Sequence, residues 1–216
     1  FKADWETAFE KEGTSDKPFF GKAEKQVPFM SGKFPLYEAG TRYVEGKNYS
    51  ALRLPYKVAK RGDKGASMYI VLPNAKTNLE QLRTSLSIEQ INALLQANTS
   101  DKYEEVYVEL PKWKADFTAQ MRPLLLGMGL KTTIEKPDFS KMTASGFVIS
   151  HVVHKTFIAV DEQGTEAAAV TGITGTKSAA PMEKRRVDFI ANRPFLYMIV
   201  DDMSGCILFV GQVTEP

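Results

Sequence analysis

One cysteine, two histidines and no long apolar run are what this 216-residue chain has in short supply. Cys206 is alone, so no internal disulfide can form. Its neighbours in Gly205-Cys-Ile-Leu-Phe-Val-Gly211 read it as a small buried hydrophobe. Lys and Arg number 28 against 26 Asp and Glu, and the resulting +2 gives no global attraction to nucleic acid or to an anionic membrane. The longest apolar runs fall far short of a helical membrane span.

The scarcity of histidine bears on catalysis. His151 and His154 lie in a strand-like run, where an odd offset sends them to opposite faces. No Cys, and no acidic residue before Asp161, stands near them to complete a metal site. Neither histidine sits in a nucleophile motif, which leaves a Ser-His-Asp triad without support. Gly127-Met-Gly129 lacks the third glycine of a dinucleotide loop and closes a helix instead of opening one. The residues read as a protein that is not an enzyme and that uses no metal or cofactor.

What is present is a mixed set of strands and helices with no internal repeat. The length suits one or two domains with a sizeable core. Leu36–Val44, Ser50–Tyr56, Ser67–Leu72 and Val106–Leu110 are strand-like and mostly bounded by Gly, Pro or Asn. Ser87 and Gln90 form a capping-box pattern opening a helix to about Ala97, with Ile88, Ile91, Leu94 and Leu95 on its apolar face. A second helix is expected near Met121–Met128, with Pro123 in its first turn and Gly127 or Gly129 at its end. Strands and helices do not alternate strictly, so the fold class is α+β.

Between two strand-like runs, Phe147–Asp161 and Pro194–Val200, lies a segment of another kind. Gly164 to Pro181 is built of Ala, Thr, Gly and Ser, with Ile173 as its only large apolar side chain. Structureless loops longer than about a dozen residues are uncommon and usually functional or disordered. This one lacks the composition of a flexible linker and the charge of a disordered tail. Thr165, Ala167, Ala169 and Thr171 alternate as small, uncharged residues, and side chains two apart share one strand face. Such a segment fits into a sheet with nothing to clash, and Glu166 falls on the opposite, solvent-facing side. The pattern suggests a switch between an exposed and an inserted state.

These residues resemble the serpins. Asp161-Glu-Gln-Gly164-Thr-Glu-Ala-Ala-Ala-Val-Thr171 is similar to the hinge of an inhibitory reactive-centre loop, and Phe189-Ile-Ala-Asn-Arg-Pro-Phe-Leu-Tyr-Met-Ile199 to the family's C-terminal signature. Phe1-Lys-Ala-Asp-Trp5, Val27-Pro-Phe-Met30, Leu110-Pro-Lys112 and His151-Val-Val-His154-Lys follow the family's order and spacing. The resemblance covers Phe1 to Pro216. It implies an incomplete multi-sheet serpin fold: the C-terminal portion of one domain, with residues 162–188 as the reactive-centre loop. Phe1–Trp5 matches the middle of a central strand, so the chain is expected to be a fragment that needs the N-terminal part of the same serpin.

The same resemblance implies a suicide inhibitor of a serine protease, with Glu162, Gly164, Thr165, Glu166, Ala167, Ala168 and Ala169 as the hinge. His154 resembles the histidine of the shutter, with a satisfied core histidine as the alternative. Trp5 resembles the tryptophan where the loop first enters the sheet, and a plain core aromatic describes it equally. Counting from Gly164 places the reactive bond at Ser178–Ala179, and counting back from Phe189 places it near Ala180. A shift the other way gives Lys177–Ser178. Lys177 would suit a trypsin-like protease, and Ser178 or Ala179 an elastase- or subtilisin-like one. Lys184, Arg185 and Arg186 read as an exosite, a second cleavable site or a solvated charge run closing the loop. Asn48 and Asn98 head glycosylation triplets, in keeping with an expected secreted, extracellular location. A non-inhibitory carrier or chaperone and an inactive half-serpin fragment are the alternative readings.

Overall fold

The computed structural model describes residues 1–36, 40–58, 65–99, 101–143, 148–165 and 185–216. Its strands begin with β1 (Ala3–Asp4), β2 (Ser15–Phe20), β3 (Glu24–Pro35), β4 (Arg42–Glu45), β5 (Tyr49–Pro55) and β6 (Ala66–Pro73). Helices α1 (Leu79–Ser85) and α2 (Ile88–Gln96) precede β7 (Glu105–Pro111) and β8 (Trp113–Gln120). Next come α3 (Arg122–Gly127), α4 (Lys131–Glu135), β9 (Val153–Val160) and β10 (Gly164–Thr165). The chain ends with β11 (Arg186–Ile190), β12 (Phe195–Asp201) and β13 (Ile207–Val213). It divides into two bodies, one of Phe1–Trp113 with Ala159–Pro216 and one of Lys114–Ile158.

In the first body an antiparallel sheet has the order β13-β12-β6-β5-β4. From Ser67 on, β6 is buried at every position. It therefore reads as a near-continuous apolar run rather than an alternating one, as a strand covered on both faces should. Tyr69, Val71, Met198 and Val200 present one of those faces to Leu82 of α1 and Leu94 of α2. Both helices are started by side chains. Ser87 Oγ accepts from Gln90 N at 3.3 Å while Gln90 Oε1 accepts from Ser87 N at 2.9 Å, and Asn78 and Gln81 make the same reciprocal pair for α1. Each box satisfies two backbone donors that a helix start leaves unpaired.

A second sheet in this body has the order β11-β7-β3-β2, with β11 parallel to β7 over five residue pairs. Met30, Phe34, Val106, Val108, Leu110 and Phe189 supply its buried side. The parallel pairing needs a long crossover, because no hairpin can join parallel neighbours. The chain between Pro111 and Arg186 makes that crossover.

Two local expectations change. Leu36–Val44 is not one strand: β3 stops at Pro35, Gly40 takes a φ of 77°, and β4 starts at Arg42. Proline cannot donate to a ladder, and a left-handed glycine turns the chain. Cys206 is exposed rather than buried. It directly follows a turn in which the Asp201 carboxylate accepts from Ser204 N at 2.7 Å and Gly205 has a φ of 71°. It opens onto β13, the sheet's edge strand, where Leu208 and Val210 are also exposed. Apolar neighbours in sequence do not bury a residue at an edge.

In the second body β8 and β9 are sheet neighbours. Met121 N donates to Val152 O at 2.7 Å, and Val152 N to Gln120 Oε1 at 2.7 Å. Pro123 lies in the first turn of α3, where a missing N–H costs nothing, and Gly129 with a φ of 96° follows its end. α4, which the sequence reading lacks, buries Ile134.

Candidate functional site

The segment Asp161–Thr165 is a tight turn held by its own first residue. Asp161 Oδ1 accepts from Gln163 N at 2.9 Å and Gly164 N at 3.3 Å, and Asp161 N donates to Gly164 O at 3.0 Å. The turn delivers β10 into a slot between β1 and the end of β9: Gly164 faces Asp4, and Thr165 faces both Ala3 and Val160. Further backbone bonds tie it down, from Trp5 N to Gln163 O at 2.7 Å and from Phe9 N to Glu162 O at 2.8 Å.

Aromatic side chains form the wall of the slot. Trp5 stacks on Tyr56 at 4.7 Å with planes 8° apart, and its indole N–H donates to Asp161 O at 3.0 Å. Thr165 is 1% exposed, and its hydroxyl lies 2.7 Å from the Tyr56 hydroxyl. Burial pushes the Tyr56 phenol well above its ordinary value, against the smaller lowering effect of the Thr165 hydrogen bond. It stays neutral and able to donate across the accessible pH range. Tyr56→Phe is expected to cost about 1–2 kcal/mol, because it strands the buried Thr165 hydroxyl. Denaturant unfolding of the variant checks this.

Glu162 is 6% exposed and carries a charge into this packing. Lys112 Nζ donates to both its carboxylate oxygens, at 3.0 and 2.9 Å, and Thr14 Oγ1 donates at 2.7 Å. Burial pulls the Glu162 carboxyl upward. The Lys112 and Thr14 hydrogen bonds outweigh it and hold the group below its ordinary value of 4.5. A depressed carboxyl contributes stability above its unfolded pKa and loses it as pH falls through the folded one. Glu162→Gln is therefore expected to lower stability by about 1.5–2 kcal/mol at neutral pH. The gap between variant and parent should narrow as pH falls below the ordinary value of 4.5 and vanish below the depressed folded one, as unfolding curves at stepped pH would show.

Gly164 is required by space. A Cβ there would overlap the Ala3 carbonyl oxygen and lie 2.7 Å from Asp4 Cα. The site as a whole is one ion pair, a stacked aromatic wall and small residues. It positions a strand end.

The family model described as "Serpin (serine protease inhibitor)" matches residues 1–216. The chain belongs to the serpin family. Its similarity is 37% identity to serpin-Z4 of Hordeum vulgare and 36% to a serpin-like protein of Thermococcus kodakarensis, covering all of this chain and 54% and 48% of those proteins. Among solved structures, the thermophilic serpin tengpin in its native state superposes with a TM-score of 0.78 at 29% identity, over all of this chain and 54% of that one. Human thyroxine-binding globulin complexed with thyroxine reaches 0.79 at 24% identity, over all of this chain and 54% of that one, and shares the fold alone. The serpin chain thus spans about half the length of the curated relatives it matches. Its multiple sheets and helices are an incomplete serpin fold.

Of the residues singled out in this serpin, Trp5, Glu162, Gly164 and Thr165 come together in the slot. His154 lies exposed in the second body, 6.5 Å from the Phe117 ring. Arg185 pairs with Glu104 at 3.1 Å, and Arg186 pairs with Asp188 at 3.1 Å while lying over the Tyr107 ring. β11 takes up Arg186–Asp188, the last three positions of the expected loop. Asn48 and Asn98 are both exposed. Glu166, Ala167, Ala168, Ala169, Lys177, Ser178, Ala179 and Lys184 fall outside the described residues. Lys112, Thr14 and Tyr56 had no assigned role in the sequence reading. Only Lys112 left a signal, as part of the Leu110-Pro-Lys112 motif.

Proposed function

We propose that the chain is the loop-bearing portion of an inhibitory serpin that traps a serine protease as a suicide substrate. The observation that carries this reading is Thr165, a small residue paired between β1 and β9 at the head of the alternating Thr/Ala segment. The protease's own nucleophile attacks a bond in the Lys177–Ala179 stretch, releasing the amine side and leaving an acyl-enzyme. The freed loop then enters the sheet behind Thr165, one backbone ladder position after another, and carries the protease with it before water can hydrolyse the ester. Small inward side chains keep that path open, and a proline or a charge would slow it.

The protein works as one serpin domain, with an N-terminal portion completing the sheet and residues 162–188, less the three that β11 takes up, forming the loop. His154 acts in the shutter, and extracellular placement with glycans on Asn48 and Asn98 belongs to the same reading. The carrier reading has only a shared fold behind it, and a carrier's hinge would typically hold charges or proline.

The test takes a full-length serpin containing this chain, incubates it separately with trypsin and with an elastase- or subtilisin-like protease, and resolves the products on denaturing gels. A band at the combined mass is expected. Sequencing the released C-terminal peptide then decides between cleavage after Lys177 and after Ser178. Clean cleavage by every protease with no such band would move the assignment to a carrier or an inactive fragment.

A further inference from the structure

We draw no further inference here: the strongest candidate, the apolar groove lined by Val71, Leu86, Ile91, Leu94, Leu196 and Val210 between α1, α2 and the β12–β13 edge, carries nothing because nothing in the structure shows what covers it.

Discussion

On the proposed inhibitory reading, Thr165→Arg in a full-length serpin carrying this chain is expected to give a protein that a target protease cuts and then releases. Thr165 is buried in the sheet at 1% exposure, with the Tyr56 hydroxyl as the polar neighbour described for its side chain. A guanidinium there would face the Trp5–Tyr56 stack with no carboxylate among its described partners. Burying an unpaired charge costs about 3–5 kcal/mol. If even 3 kcal/mol of that appears in the barrier to insertion, the rate falls by about two orders of magnitude. Deacylation then wins, and the gel should show cleaved serpin with active protease. Thr165→Ser removes only a methyl group and should keep the trap nearly intact. A stable complex from the Arg variant at unchanged stoichiometry would mean that seating this position does not limit the rate of insertion.

The same site shows what a sequence can and cannot disclose. The Ser87–Gln90 capping box was legible because its partners are three residues apart and the chemistry is local. The entry of Gly164–Thr165 into a sheet was legible because small residues at period two survive in the text whatever surrounds them. The residues that hold this strand end were not. Lys112 lies 50 positions from Glu162, Tyr56 lies 109 from Thr165, and Thr14 lies 148 from Glu162. No periodicity links them; only the topology that seats β10 beside β1 does. Cys206 fails for a related reason: apolar flanks predict burial only when the strand is interior, and strand order is a tertiary property. Leu36–Val44 shows the reverse case, in which a run of strand formers is interrupted by a glycine whose φ is visible only in three dimensions.

Gly164 separates two physical arguments that sequence alone would merge. Its φ of 159° is one that residues with a side chain rarely adopt. Strand propensity alone would still favour valine over glycine at such a position. Sterics say the opposite: the first side-chain carbon already collides with the β1 backbone at Ala3 and Asp4. Backbone cannot rotate away as a flexible side chain would, so β1 and β10 must part. That opens the Ala3–Thr165 and Asp4–Gly164 pairs and pulls on the Trp5 N to Gln163 O bond. Gly164→Ala and Gly164→Val should therefore both cost about 3 kcal/mol, at the upper end for overpacking. The Ala variant carries most of the effect because the Cβ itself is the intruder. Denaturant unfolding gives the cost, and tryptophan emission reports whether the stack of Trp5 on Tyr56 loosens with it. An Ala variant within about 0.5 kcal/mol of the parent would show that β1 yields easily, and the slot would then be a soft entry rather than a fixed one.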